Sequence, residues 1–203
     1  MRNRLVAFGC SNTYGHGLSD CINKDRSPGP YPSKYAWPSV LSEKLSRECV
    51  NYGIPGASNK EIWEYITRVK LSPRDIVVVL WTYHERWATL NEELPHNGIY
   101  AMQKSKAARS FYKHLYSDYD MMIDLNLRIH HASMFLDSLG ITNYHAVMHK
   151  DELKKAHWNT APVYYSEFEN YRFSMPKAKD RQHPGPNAHA KFAEDLYNLM
   201  RTK

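Results

Sequence analysis

The sequence predicts an α/β fold: a mainly parallel sheet covered by helices on both faces. Three observations carry that expectation. Short apolar runs alternate with helically spaced segments, the pattern of parallel strands linked by crossover helices. The clearest run, Asp75-Ile76-Val77-Val78-Val79-Leu80, is β-branched and apolar without interruption, as a central strand buried on both faces requires. The 203 residues suffice for one core without staples, and no repeat or low-complexity tract divides residues 1–203, so one domain is expected.

Each element follows from local pattern. Leu5 to Phe8 reads as a buried strand, and Ser27-Pro28-Gly29-Pro30-Tyr31-Pro32 as a loop. Trp37, Val40, Leu41 and Leu45 fall at helical spacing, which predicts the first crossover helix over about 35–46. Cys49-Val50-Asn51-Tyr52 is a second strand ending at Gly53. Ser58-Asn59-Lys60-Glu61 fits a capping box, and Ile62, Tyr65, Ile66 and Val69 line one face of the helix it opens.

After the Asp75–Leu80 strand, residues 88–104 read as a surface excursion. A long helical region follows from about Lys106 to Leu139, with Gly140 as its C′ stop. Ile141 to Met148 is a fourth strand. Residues 149–180 lack periodicity, Val163-Tyr164-Tyr165 being the one strand-like run. Asn187 is expected to cap a last helix whose Ala190, Ala193, Leu196, Tyr197 and Met200 share an apolar face.

Composition narrows the function classes. Hydrophobic residues at 42% and charged residues at 24% are ordinary for a globular chain, while fifteen tyrosines and five tryptophans are an excess that suits a surface or cleft. The net charge of +6 is spread without any basic run, which argues against nucleic-acid binding. Cys10, Cys21 and Cys49 are odd in number with no C-x-x-C pair, so free thiols in a reducing compartment are expected. No run approaches the roughly 18 apolar residues of a membrane span, and the start, Met1-Arg2-Asn3-Arg4, has no signal-peptide pattern. The expectation is a chain made in the cytoplasm and kept from Sec export, with virion incorporation or host lysis as routes out.

The chemistry concentrates at two places. In Val6-Ala7-Phe8-Gly9-Cys10-Ser11-Asn12-Thr13-Tyr14-Gly15 a strand delivers a serine into a polar turn, at the sheet edge where open α/β folds hold ligands. Near the other end, Asp180-Arg181-Gln182-His183-Pro184-Gly185 sets an acid and an imidazole three residues apart. Ser11, His183 and Asp180 are thus candidates for a nucleophile, a general base and its orienter.

These blocks resemble those of the SGNH (GDSL-like) hydrolase family. Phe8 to Gly15 resembles its nucleophile block, Asn51-Tyr52-Gly53-Ile54-Pro55-Gly56-Ala57-Ser58 its second block, and Asp180 to Pro184 its closing D-x-x-H-P. The resemblance implies a three-layer α/β/α sandwich with a flavodoxin-like sheet of about five strands. It also implies an oxyanion hole built from the Ser11 and Gly56 N–H groups, Gly53 being the alternative. Two departures stand out. Cys10 occupies the place of the family's Asp, and Leu80-Trp81-Thr82-Tyr83-His84-Glu85-Arg86 lacks the asparagine of the third block. By register Tyr83 or His84 stands in as oxyanion donor, with Thr82 as a further candidate.

Asn12, next to the nucleophile where it could orient the loop, and Trp81, Thr82 and Arg86, on a rim whose indoles and guanidinium group suit sugar rings, are candidates for substrate binding; packing of the aromatic rings is the equal alternative for the rim. His145 and His149 stand four apart, but on or beyond a strand, so neither a metal nor a cofactor is expected. The expected function is a serine esterase that removes small acyl groups, acetyl foremost, from a carbohydrate or other small ester. The alternative is a weakly catalytic or non-catalytic glycan-binding module on the same scaffold.

Overall fold

The first apolar run forms strand β1 (Arg4–Gly9), and its glycine leads into a one-turn helix, α1 (Ser11–Tyr14). Helix α2 (Trp37–Lys44), strand β2 (Glu48–Gly53) and helix α3 (Asn59–Arg68) follow close to their expected spans. Both hydrogen bonds of the Ser58–Glu61 capping box are made, so two of the four orphan N–H groups at the start of α3 are satisfied locally. Strand β3 (Ile76–Trp81) comes next. Within the surface excursion, β4 (Trp87–Thr89) and β5 (Asn97–Ile99) pair antiparallel. Helices α4 (Lys106–His114) and α5 (Asp118–Ser138), strands β6 (Thr142–Val147) and β7 (Val163–Tyr165), and helices α6 (Phe168–Ser174) and α7 (Pro186–Arg201) complete the order. The computed structural model describes residues 3–90, 97–99, 105–148 and 163–202.

The central sheet runs β2-β1-β3-β6-β7, and all four neighbouring pairs are parallel. Set aside the β4–β5 hairpin and this is the 2-1-3-4-5 order of flavodoxin-like sheets, whose chain direction switches between β1 and β3. Period-2 alternation splits the core in two. Val6, Phe8, Val77, Val79, Trp81 and Val147 face α3 and α5, meeting Ile62, Ile66, Leu125 and Ile129. Leu5, Ala7, Val78, Leu80 and Ala146 face α2, α6 and α7, meeting Trp37, Leu41, Phe168, Phe192 and Leu196. Three layers result, as expected.

Three expectations are corrected. The helical region over 106–139 is two helices, because the Ser117 hydroxyl accepts the Asp120 N–H and starts α5 anew, with Asp118 and Asp120 in its first turn. Helix α6 lies in the stretch read as aperiodic; seven residues are too few for a helical repeat to show. Asn187 does not cap α7. Gly185 holds that position and Pro186 the next, where a missing N–H costs nothing. Cys10, Cys21 and Cys49 are unpaired, the first two buried. Among the described residues no helix is long and apolar enough to cross a membrane.

Candidate active site

A parallel sheet brings all its strand carboxyl ends to one edge, and there the two chemical blocks meet. Ser11 follows β1 as the first residue of α1, so its N–H is one of the donors that a helix start leaves without an internal partner. The ends of β1 and β2 are tied to each other. Asn51 Nδ2 donates to the Thr13 carbonyl at 2.7 Å, its Oδ1 accepts the Gly53 N–H at 2.8 Å, and the Ile54 N–H reaches the Gly9 carbonyl at 2.9 Å. Cys10 is fully buried on the α3–α5 side, where it packs in the core as a small apolar side chain.

The closing block is a tight loop docked on that edge. The Ala178 N–H meets the His183 carbonyl at 3.0 Å, the Arg181 N–H meets the Ala178 carbonyl at 2.9 Å, and the Lys179 N–H meets the Gly17 carbonyl at 2.9 Å. Asp180 Oδ1 accepts the backbone N–H groups of Gln182 and His183, at 2.9 and 3.0 Å. Its Oδ2 lies 2.5 Å from His183 Nδ1, and His183 Nε2 lies 3.0 Å from Ser11 Oγ. With the carboxylate as acceptor, Nδ1 carries the ring proton and Nε2 presents its lone pair to the serine. Ser11 and Asp180 are each 5% exposed, so this line of bonds is largely shielded from water.

Burial would raise the Asp180 pKa, but the two N–H bonds and the His183 ring outweigh it and hold the carboxyl below its usual range. Burial lowers the His183 pKa; Asp180 opposes this, and the nearby His16 and Arg172 add to it, so the ring is held below the usual imidazole value. At neutral pH the pair is a carboxylate and a neutral imidazole, the protonation states that let His183 accept a proton.

Gly56 sits in the turn after β2, with φ of +83° and Pro55 before it, the pattern of a type II turn closed by Ala57 N–H to Ile54 carbonyl at 3.0 Å. Nothing stands within 4 Å of where a Cβ would lie, so the turn faces open space. The Gly53 N–H is spent on Asn51, which removes the alternative donor.

The segment after β3 is placed differently from expectation. The Tyr83 hydroxyl donates to Glu169 and accepts from Arg172 Nη1 at 3.0 Å, so its proton is not offered to the serine. Burial first, and then the bond to Glu169, push the Tyr83 pKa far up. His84 Nε2 reaches away to Asp118 at 2.8 Å, at the start of α5. Both side chains are thus engaged by partners on α6 and α5. Trp81 is no rim residue. It is fully buried, donates to His145 Nδ1 at 3.1 Å and stacks on that ring, because β3 continues one residue further than expected. Thr82 is also fully buried, its N–H held by Asn59 Oδ1 at 2.8 Å.

Arg86 Nη1 donates to the Ala57 carbonyl at 3.4 Å, next to the Gly56 turn, and its guanidinium carbon lies 5.4 Å from the centre of the Tyr83 ring. It also lines a cavity of about 220 Å³ with Asn59, Lys60, His84 and Trp87. Asn12 is 4% exposed and points at sulfur, its Nδ2 3.8 Å from Cys10 Sγ and 3.6 Å from Met148 Sδ.

His145 is a core residue, its Nδ1 and Nε2 engaged by Trp81 and Asn143, and His149 lies outside the described residues. His16, Asp180 and His183 bring ligand-type atoms within 4.8 Å of one another. Both His183 nitrogens are already bonded, so a metal there would break the line to Ser11. Sequence reasoning missed Gly17, at φ of +88°. A Cβ on it would lie 2.6 Å from the Asp180 Cγ. A glycine two residues after the nucleophile turn was the available signal. Glu169 and Arg172 were missed too, because α6 itself was.

Neither a protein-family model nor a curated protein sequence matches the chain. Solved structures do. A carbohydrate esterase family 2 enzyme with a carbohydrate-binding domain, from Corynascus thermopiles (Myceliophthora fergusii), is similar at a TM-score of 0.59 and 11% identity, over 100% of this chain and 66% of that one. The acetyl xylan esterase Est2A of the rumen bacterium Butyrivibrio proteoclasticus is similar at 0.56 and 12%, over 98% and 63%. Against a lipolytic protein of the G-D-S-L family from Desulfitobacterium hafniense the values are 0.51 and 12%, over 97% and 99%. The present chain therefore spans about two thirds of the two carbohydrate esterases and nearly all of the lipolytic protein. Sheet order, the place of Ser11 upon it and these likenesses agree: the chain has the fold of the SGNH, G-D-S-L-type hydrolases.

Proposed function

We propose that this chain is an SGNH-type serine esterase that removes small acyl groups, acetyl foremost, from a carbohydrate or other small ester. The observation that carries the reading is the hydrogen-bond line from Ser11 Oγ through His183 to Asp180. Ser11 Oγ attacks the ester carbonyl carbon while His183 Nε2 takes its proton. The tetrahedral intermediate then expels the alcohol, which leaves with that proton. Water, deprotonated by the same ring, releases the acid from the acyl-enzyme. Asp180 stays ionised and steadies the imidazolium.

The oxyanion is met by the N–H groups of Ser11 and Gly56. With the Tyr83 and His84 side chains engaged elsewhere, neither is assigned as a third, side-chain donor. A missing donor costs roughly 10²–10³-fold, so turnover is modest but measurable. The acylated-carbohydrate assignment is supported by the likeness to the carbohydrate esterase and the acetyl xylan esterase. Residues give it less support, since Trp81 belongs to the core and Trp87 packs on Phe111.

The test is hydrolysis of p-nitrophenyl acetate by the parent and by Ser11→Ala, beside covalent labelling with an organophosphonate. The expected result is labelling at Ser11 and turnover that the substitution abolishes. Folded protein that neither labels nor turns over rejects the esterase and favours the glycan-binding module.

A further inference from the structure

Building on the esterase reading, we propose that Arg172 is a positioning residue, clamping the His183 turn to the segment that follows β3. Its guanidinium joins three parts of the chain. Nε donates to the Gln182 carbonyl at 2.9 Å; Nη1 donates to the Tyr83 hydroxyl at 3.0 Å and to Glu169 Oε1 at 3.3 Å. The Tyr83 hydroxyl closes the set by donating to the other oxygen of Glu169.

The bond to Gln182 matters most. The peptide unit between Gln182 and His183 is held at both ends, its carbonyl by Arg172 and its N–H by Asp180 Oδ1 at 3.0 Å. That unit carries the His183 backbone, so its tilt sets where Nε2 lies relative to Ser11 Oγ. An ion pair between Arg172 and Glu169 alone, three residues apart on a short helix, would stabilise little. Here the carboxylate is buried, its two oxygens are divided between Tyr83 and Arg172, and the guanidinium fork is aimed at the turn.

The same arginine acts on the base through its charge. Among the described residues, the groups that bond to the His183 ring, pack on it or act on it through charge are Asp180 on its own turn, Ser11 at Nε2, His16 at 4.5 Å between ring centres, His189 from α7 and Arg172 from α6. Asp180 favours the imidazolium, whereas Arg172 and His16 disfavour it and help keep the ring neutral. Geometry and charge can therefore be tested apart.

The experiment compares Arg172→Gln, which removes charge and fork, with Arg172→Lys, which keeps the charge and loses the planar fork. Each is read by kcat and KM on p-nitrophenyl acetate and by the NMR titration midpoint of the His183 ring, assigned by its loss in His183→Ala. Circular dichroism certifies folding. In Arg172→Gln, kcat should fall on the order of 10–100-fold with KM little changed, the cost of a misplaced base, and the midpoint should move to higher pH. In Arg172→Lys, kcat should fall while the midpoint stays near the parent's. Folded Arg172→Gln with the parent's kcat and midpoint overturns the proposal. If that variant does not fold, Arg172→Lys with the parent's kcat overturns it instead. A parent without turnover, but with a midpoint that moves on substitution, rejects the esterase reading and leaves the Arg172 link standing.

Discussion

Gly17→Ala is a small change with a defined consequence at the site. Gly17 has φ of +88°, and a Cβ there would lie 2.6 Å from Asp180 Cγ and 2.7 and 2.8 Å from its two oxygens. Carbon atoms in contact sit near 3.5 Å or beyond, so the carboxylate must retreat by roughly 0.9 Å. It cannot do so freely, because both oxygens are bonded, to the Gln182 and His183 N–H groups and to the His183 ring. The left-handed backbone conformation alone costs an L-residue about 1–2 kcal/mol. For a chain of this size that is a fall in Tm of roughly 2–8 °C. Displacing the orienter by nearly an ångström tilts the imidazole and should cost on the order of 10–100-fold in kcat/KM. Melting by circular dichroism and kinetics on p-nitrophenyl acetate well below the melt separate the two effects. The activity loss should resemble that of Asp180→Asn. A Gly17→Ala protein that melts lower yet keeps the parent's kcat/KM refutes the idea that this glycine makes room for Asp180.

Two further outcomes follow from the same geometry. Ser11→Ala and His183→Ala should each cost about as much activity as the double variant, on the order of 10³–10⁶-fold, since both act in one step; multiplicative losses would contradict the assignment. His145 and His189 are buried, and burial holds their pKa values down to about 4 and about 3, with the His183 charge adding at His189. Their unfolded rings protonate near 6.5, so between about 6.5 and 4 the unfolded chain binds more protons and stability falls as pH falls. For His145 alone the loss by pH 4 is about 3 kcal/mol. The urea midpoint should drop between pH 7 and pH 4.5, and less steeply in His145→Gln; equal slopes would show that the ring is not held neutral.

Much of this protein was legible in one dimension because its signals are local. The β-branched run of β3 announces a strand buried on both faces, and Ser58 to Glu61 states its own helix start in side-chain hydrogen bonds between residues three apart. Asp180 and His183 are close enough in sequence for a turn to make them partners, and Ser11 stands two residues past the end of its strand. Short elements were harder. Seven residues of α6 show no repeat, and Ser117 splits a helical region that propensity alone would continue.

By itself, then, the sequence determined the layered α/β architecture, the chemical identity of the three groups and their order along the chain, since hydrophobic period and turn chemistry need only near neighbours. Only the tertiary structure decided what those groups touch. It placed Ser11 beside a histidine 172 positions away, sent Trp81 into the core, and engaged Tyr83 and His84 with partners on α6 and α5. It also set Gly17 against Asp180 and Arg172 on the carbonyl before His183. Such pairings depend on which strand ends share an edge and which loops pack over it. They arise when distant segments bury their apolar faces together, and no local spacing encodes them.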